Sequence, residues 1–266
     1  MKSAVELFQA GSLREAIELA TAAVKAKPME ISGRSILAEL LSFSGDLERA
    51  DKQLEAALLS DPKSMPGISL MRHLIRSEIT RKEVFEQGRV PEFIETPGPS
   101  QQKRLQALIA LREGNPETAA SLIAEALEAA PDLKGSVNGR TFEGFCDLDD
   151  LLGTNFEVFT ATGAYYWIEA SQIVSLTFEP VSHITDMLWR SAALETRGSL
   201  QGRVHIPALY FGSSRSEDPK IQIGRTTDWI QNEGCPVRGL GQREFLMGEE
   251  PVTVMEIERL SFELCT

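Results

Sequence analysis

The chain has 266 residues, of which 42% are hydrophobic and 25% are charged, and these proportions are ordinary for a soluble globular protein. Its length is enough for two modest domains, each with a core of its own. The formal net charge is −12 and no basic stripe runs along the sequence, so we expect neither a nucleic acid nor an anionic membrane to be the main partner.

The sequence predicts a protein of the cytoplasm. It contains no run of 18 or more apolar residues, and its N-terminal part is typical of a charged pair of amphipathic helices rather than of a signal peptide. Cys146, Cys235 and Cys265 are odd in number and widely spaced. They fit isolated thiols in a reducing compartment better than a disulfide framework or a metal site.

A repeated pattern organises the first half of the chain. Gly11, Gly45 and Gly114 are each followed by small or apolar residues at offsets 5, 9 and 12 and by proline at offset 17. The first two glycines lie 34 residues apart, and the next interval of 69 residues is about twice that period. A helix–turn–helix period of this length that ends in proline is the tetratricopeptide signature. The pattern therefore predicts stacked helical hairpins over residues 1–131.

The hairpins follow one another in chain order, with a degenerate third unit. Ile79 stands where the period would place a glycine, so we expect one longer helix in this unit instead of a hairpin. The predicted helices are Met1–Ala10, Ser12–Lys27, Met29–Ser44, Asp46–Ser60, Ile68–Gln87, Gln101–Glu113 and Pro116–Ala129.

Beyond Pro131 the pattern changes to short extended runs broken by turn residues, which predicts an α+β domain over residues 137–266, built on a bent antiparallel sheet or partial barrel. We place the boundary in Ala130–Val137. The predicted strands are Phe156–Thr160, Tyr165–Ile168, Ile173–Phe178, Ala192–Thr196, Arg203–Leu209, Gln242–Met247 and Thr253–Phe262. Short helices are predicted at Cys146–Leu152, with Asp147 as its cap, at His183–Trp189 and at Arg225–Ile230.

No motif in the sequence predicts catalysis, a metal or a cofactor. His73, His183 and His205 are the only imidazoles, and no two of them have the spacing of a helical metal site. The acidic run at 147–150 lacks the glycine and the terminal glutamate of an EF-hand. Nucleophile-elbow and phosphate-loop sequences are also missing.

Aromatic residues are concentrated in the second half. Tyr165, Tyr166 and Trp167 are consecutive, so the alternation of a strand places Tyr166 on one face of the sheet and its neighbours on the other. Trp189 and Trp229 lie further along the chain. These five side chains are interpreted either as the core of a small domain or as a partly exposed protein interface.

The same half of the chain resembles a known family, and shorter matches at residues 41–51 and 81–85 extend the resemblance over nearly the whole sequence. The motifs that carry the resemblance are Asn138-Gly139, Asp147-Leu148-Asp149, Tyr165-Tyr166-Trp167-Ile168, Asp186-Met187-Leu188-Trp189, Ile206-Pro207-Ala208-Leu209-Tyr210, Gly224-Arg225-Thr226-Thr227-Asp228-Trp229 and Gly239-Leu240-Gly241-Gln242-Arg243. Together they resemble the ImpE/TagJ (SciE-type) family of type VI secretion accessory proteins. Glu169 departs from the pattern of this family, in which a proline follows the aromatic strand.

The resemblance implies a cytoplasmic, non-catalytic protein that binds the N-terminal helix of TssB, the small subunit of the contractile sheath. It also implies a role in sheath assembly or in sheath recycling by the ClpV ATPase, which makes ClpV an indirect partner. The family supplies no catalytic residues to assign here.

Stacked hairpins form a concave groove lined by their first helices, into which an amphipathic helix can dock. Positions 3, 6 and 10 residues before each hairpin glycine should face this groove. For each of them, packing against the neighbouring hairpin is the alternative role. The predicted peptide-binding residues are Val5, Phe8, Glu39, Ser42, Arg104, Leu108 and Leu111, and Ser35 occupies an equivalent position.

Two other functions stay open on the sequence alone. One is an enzyme whose site lies in the C-terminal domain and uses Asp147, Asp186, Arg225, Asp228 and Arg243. The other is a purely structural scaffold, because helical repeats often hold other proteins and a homo-oligomer is compatible with them.

Overall fold

The first half of the protein is helical, as predicted. The computed structural model describes residues 2–60, 65–198 and 200–263. Each helix predicted over residues 1–131 is present, with ends that lie within a few residues of the prediction; Met1 lies outside the described residues. The helices are α1 (Ala4–Gln9), α2 (Leu13–Ala26), α3 (Ile31–Phe43), α4 (Leu47–Ser60), α5 (Met65–Gln87), α6 (Pro99–Arg112) and α7 (Pro116–Glu128).

Glycine turns and buried alanines build the hairpins. Gly11, Gly45 and Gly114 have φ values of +89°, +74° and +77°, a left-handed conformation that disfavours any residue with a Cβ. Each is followed five residues later by an alanine with no exposed surface, as in Ala50 and Ala119. These small side chains let the two helices of a hairpin approach closely.

The described residues of the second half form an α+β arrangement with three antiparallel sheets. The strands are β1 (Lys134–Val137), β2 (Arg140–Glu143), β3 (Phe145–Asp147), β4 (Asn155–Thr160), β5 (Tyr165–Glu169), β6 (Ile173–Phe178), β7 (Trp189–Thr196), β8 (Gln201–Pro207), β9 (Thr227–Ile230), β10 (Arg238–Gly241), β11 (Glu244–Met247), β12 (Glu250–Thr253) and β13 (Arg259–Phe262). A short helix α8 (Pro219–Gln222) lies between β8 and β9. The largest sheet has eight strands in the order β2-β1-β13-β6-β7-β8-β4-β5, a second has the order β12-β11-β3, and a third pairs β10 with β9.

Two predicted helices are wrong. Residues 145–147 form β3, which pairs with β11. Asp147 does not cap a helix, because residues 148–154 form turns; its carboxylate accepts a hydrogen bond from the Asp149 amide at 2.8 Å within the first of them. The segment predicted as the helix Arg225–Ile230 contains β9, whose residues pair with β10. In both segments, pairing with a distant strand determines the backbone of the strand residues.

Two further predictions are right only in part. The run Thr253–Phe262 contains the end of β12 and all of β13, with a turn between them. The segment His183–Trp189 is helical only over the 3-10 turn Ile184–Met187, and Trp189 begins β7. The change from helix to strand falls between Glu128 and Lys134. The division into domains 1–131 and 137–266 stays a prediction.

The two faces of the eight-stranded sheet contribute to different hydrophobic cores. Tyr165 and Trp167 are fully buried in a core that they share with the helices, together with Trp189. Ile168, one position further along β5, lies in the second core with residues from the other strands. Tyr166 is half-buried and packs against that second core, so the predicted alternation of the aromatic run is confirmed. The first core therefore joins the helical hairpins to the sheet.

Buried charges also connect α5 to the sheet. Nε and Nη2 of Arg81 each donate to the Glu157 carboxylate at 2.8 Å. The Tyr165 hydroxyl donates to the same carboxylate at 2.5 Å, and the Trp167 indole N–H donates to the Tyr165 oxygen at 2.6 Å. Arg243 adds a longer bond of 3.3 Å to Glu157. Burial raises the pKa of Glu157, but the guanidinium groups of Arg81 and Arg243 outweigh burial, so the pKa is lowered and the carboxylate stays charged.

Candidate functional site

A groove opens between the second hairpin, α5 and one end of the large sheet. It has a volume of about 380 Å³, at the low end of the range for ligand-binding clefts. We call it the α3–α5 groove. Its lining residues are Ile31, Ser35 and Glu39 from α3, Leu54 from α4, Gly67, Ile68, Leu70, Met71 and Leu74 from α5, His183, Thr185 and Asp186 from the 3-10 turn and the residue before it, Trp189 from β7 and His205 from β8.

Helix geometry explains which residues of α3 line the groove. Ile31, Ser35 and Glu39 are spaced four residues apart, so they form one line along the helix. All three are partly exposed, whereas Leu37 and Leu40 of the same helix are buried in the core. The α3 helix therefore uses one face for packing and presents the other to the groove.

The α5 wall is apolar. Ile68 and Leu74 are buried, Leu70 and Met71 are partly exposed, and all four line the groove. A Cβ added at Gly67 would meet no described atom within 4 Å, and residues 61–64, which precede α5, lie outside the described part of the chain. Partly exposed apolar side chains in a concave surface favour the binding of another apolar surface.

Trp189 forms the sheet side of the groove in a fixed orientation. Its indole N–H donates to Oε2 of Glu78 on α5 at 3.0 Å, and its side chain is 1% exposed. Glu78 in turn accepts from Arg81 at 3.3 Å. The buried charge network thus holds an aromatic ring at the base of the groove.

One end of the groove is polar. Burial raises the pKa of Glu39; His183 nearby opposes this shift and Asp186 adds to it. Asp186 accepts hydrogen bonds from the amides of Ser182 and His183, each at 2.8 Å, and so holds the 3-10 turn against the groove. His205 is 5% exposed, and burial lowers its pKa to about 4. The imidazole is therefore neutral at pH 7.

The other predicted peptide-binding positions on the first helices of the hairpins lie mostly inside the protein. Phe8 packs on Phe43 with ring centroids 4.8 Å apart, and the Ser42 hydroxyl donates to the Ala38 carbonyl at 2.9 Å. Both Phe8 and Ser42 are buried, and Val5 is half-buried. Of the seven predicted residues, Glu39 is the one that lines the α3–α5 groove.

The predicted positions in the fourth repeat unit are also mostly buried. Arg104 and Leu108 are buried, and Leu111 is half-buried. The Arg104 guanidinium donates to the Asp150 carbonyl and packs against the backbone at Gly153. A partner would reach these interior side chains only if the packing rearranged. Their assignment to peptide binding stays a prediction.

The aromatic set is divided between core and surface. Tyr165 and Trp167 are buried, Tyr166 is half-buried, and Trp229 packs on Tyr210 with ring centroids 5.6 Å apart. Trp189 is the member of this set that lines the α3–α5 groove. The groove therefore brings together one residue from each of the two interfaces that the sequence predicted, Glu39 and Trp189.

The residues suggested for an enzyme do not share one cavity. Asp147 and Arg243 form an interior ion pair with Nε and Oδ2 2.5 Å apart, whereas Asp186 lies at the groove. Arg225 donates to the Gln9 carbonyl, and the Asp228 carboxylate accepts from the neighbouring Trp229 amide. Within the described residues, no group of three or more histidine, cysteine, aspartate or glutamate side chains is placed to hold a metal ion.

Sequence reasoning missed most of the groove. His183 precedes the 3-10 turn, His205 lies on β8, and Ile68 and Met71 lie three residues apart on α5, so no single motif joins the histidines to the α5 residues. Ser35 and Glu39 were found because helical spacing alone places them on the outer face of α3. In the part of the chain that the structure describes, no helix is both long enough and apolar enough to cross a membrane.

Comparisons with known proteins show similarity over the whole chain. The family model described as ImpE protein matches residues 139–261. The type VI secretion system accessory component TagJ of Pseudomonas aeruginosa strain PAO1 is 30% identical over 260 residues, which is 98% of this chain and 91% of that protein. The crystal structure of protein VPA1032 from Vibrio parahaemolyticus has a TM-score of 0.91 at 27% identity, and the match covers 98% of this chain and 97% of that one.

Proposed function

Because this chain belongs to the ImpE/TagJ family, we propose that it is a non-catalytic accessory protein of a type VI secretion system. In this proposal it works in the cytoplasm as an adaptor that binds the N-terminal helix of TssB, the small subunit of the contractile sheath. It then assists either sheath assembly or the recycling of the sheath that is linked to ClpV.

The observation that carries this proposal is the α3–α5 groove. Its walls are apolar, its side chains are partly exposed, and the described residues leave it open to a partner. An amphipathic helix binds such a groove through apolar anchors spaced three or four residues apart on one face. Leu70 and Met71 are partly exposed and offer such anchors an apolar surface, while the buried indole of Trp189 forms the base of the groove.

Calorimetric titration with a synthetic peptide of the TssB N-terminal helix tests the proposal. We expect a dissociation constant of about 1 μM or tighter, which corresponds to about 8 kcal/mol of binding free energy. The absence of heat at peptide concentrations well above this value would overturn the proposed function.

A groove variant shows whether the peptide binds at this place. Met71→Glu should weaken binding by at least about tenfold, because docking would bury a carboxylate among apolar side chains. Leu127→Glu is the matched control, since Leu127 is 55% exposed on α7 and does not line the groove. Equal affinities for the two variants would exclude the α3–α5 groove as the binding site.

A further inference from the structure

We propose that the α3–α5 groove selects an amphipathic helix that carries one lysine or arginine within its apolar face, and that Glu39 pairs with this cation. The inference rests on the proposed function and specifies the chemistry of the bound helix. Glu39 would then be the residue that determines which helices the groove accepts.

Glu39 is available for such a pair. It is partly buried between apolar walls, and none of the described residues forms a hydrogen bond or an ion pair with its carboxylate. Burial disfavours the charged form of this carboxyl group, and a nearby cation favours it. A lysine or arginine on the bound helix would supply the missing partner.

Asp186 is less available than Glu39 to pair with a cation of the bound helix. Its Oδ2 atom already accepts the Ser182 and His183 amides at 2.8 Å each and the Ser182 hydroxyl at 3.2 Å. These bonds fix the 3-10 turn that forms the polar end of the groove. Asp186 therefore adds negative potential beside Glu39, while Glu39 is the group left to make the direct contact.

His205 is a second polar side chain at this end of the groove with an atom that has no hydrogen-bond partner among the described residues. The side chain lines the groove and is 5% exposed, and its Nδ1 atom has no hydrogen-bond partner among the described residues. Buried polar atoms without partners are rare in folded proteins. Because the ring is neutral at pH 7, it does not repel a cation on the bound helix.

The charge of the lining matches a basic occupant. The groove contains two carboxylates, Glu39 and Asp186, and among the described residues neither lysine nor arginine belongs to its lining. Four other surface cavities of the described chain each contain at least one arginine, among them Arg14, Arg81 and Arg140. Over the described residues, the α3–α5 groove thus differs from these cavities in combining apolar walls with two carboxylates and no lysine or arginine.

The experiment combines protein and peptide variants in one set of titrations. The probe is the TssB N-terminal peptide, used unchanged and with each lysine or arginine replaced in turn by glutamine or by glutamate. The proteins are the wild type, Glu39→Gln, Glu39→Lys, Met71→Glu and the control Glu48→Gln, whose side chain is exposed on α4 outside the groove.

We expect Glu39→Gln to weaken binding of the unchanged peptide about tenfold and Glu39→Lys to weaken it about a hundredfold or more. One glutamine substitution in the peptide should weaken binding to the wild type but have little further effect on Glu39→Gln. The glutamate substitution at the same position should restore binding to Glu39→Lys. The control Glu48→Gln should bind as the wild type does.

Stability provides a second measurement. Glu39→Gln removes an unpaired, partly buried charge, so the thermal midpoint of the free protein should stay the same or rise while its affinity falls. A lower midpoint would indicate a structural role for Glu39 and would overturn the inference.

The outcomes distinguish this inference from the proposed function. If Met71→Glu weakens binding but Glu39→Gln does not, the groove is the binding site and the pairing role of Glu39 is wrong. If the unchanged peptide does not bind the wild type, both proposals are wrong.

Discussion

Glu157 lies at the centre of the buried charges of this protein. Its carboxylate has no exposed surface, and it accepts hydrogen bonds from Arg81 on α5, from Tyr165 on β5 and from Arg243. A buried ion pair does not by itself make a protein more stable, because removing the charges from water offsets much of their attraction. Removal of Glu157 is nevertheless unfavourable, since Arg81 and Arg243 stay buried and each loses one of its two carboxylate partners.

We predict that Glu157→Gln lowers the free energy of unfolding by about 3–5 kcal/mol, because Arg81 and Arg243 both lose their shared carboxylate. Urea denaturation measures this change. Glu143→Gln is the matched control: the Glu143 side chain is 78% exposed and pairs with Lys134 at the surface, so its change should stay within about 0.5 kcal/mol.

Tyr165→Phe keeps the experiment informative if Glu157→Gln does not fold. It removes the 2.5 Å hydrogen bond to Glu157 and leaves the charges in place, so we expect a loss of about 1–3 kcal/mol. If the free energy of unfolding of both Glu157→Gln and Tyr165→Phe changed as little as that of Glu143→Gln, the role assigned to the buried charges would be contradicted.

At the scale of single elements, two hairpin turns have the same glycine conformation but differ in how closely other residues pack against them. Gly45 and Gly114 both follow the first helix of a hairpin and have similar left-handed φ values of +74° and +77°. A Cβ at Gly114 would meet no atom within 4 Å, whereas a Cβ at Gly45 would lie 2.8 Å from the Ser214 hydroxyl oxygen. The second hairpin therefore packs tightly against the loop after β8, while the turn of the last hairpin is free.

We predict that Gly114→Ala lowers the free energy of unfolding by about 1–2 kcal/mol, which is the strain of a left-handed alanine. Gly45→Ala should lower it further, because Ser214 must also move. Thermal or urea denaturation of the two variants provides the comparison. The double variant Gly45→Ala with Ser214→Gly should recover the difference, and equal losses for the two single variants would contradict the close contact.

At the scale of the whole molecule, one hydrophobic core connects both halves of the chain. Phe8 and Leu40 from the helices belong to the same cluster as Trp167, Trp189 and Leu209 from the second half. The hydrogen bonds between Arg81 and Glu157 cross the same boundary. Because separation of the helices from the sheet would expose this core and break these bonds, the two halves should stabilise each other.

We predict that the helices and the tryptophan environments are lost in one transition. The seven longer helices, α1 to α7, lie before residue 131, whereas Trp167, Trp189 and Trp229 are the three tryptophans of the chain and lie after it. Far-ultraviolet circular dichroism reports the helices and tryptophan fluorescence reports the second half. Coincident urea transitions are expected, and two separate midpoints would show that the halves unfold independently.

The sequence alone determined the features that depend on local spacing. The glycine, alanine and proline offsets predicted the hairpins, and the alternation of a strand placed Tyr166 on the face opposite Tyr165 and Trp167. These patterns can be recognised in the sequence because a helix and a strand each impose a fixed period on neighbouring residues. The same local reasoning failed at residues 145–147 and 227–230, where pairing with a distant strand replaced the predicted helix.

Only the tertiary structure decided which residues meet in the groove. Glu39 on α3, Asp186 on the 3-10 turn and His205 on β8 come together because a shared core holds the second hairpin against the end of the sheet. Phe8 and Leu108 occupy positions that helical spacing allows on a surface, but the packing of neighbouring elements buries them. Spacing along a chain fixes the direction of a side chain on its own element, whereas long-range packing fixes what that side chain faces.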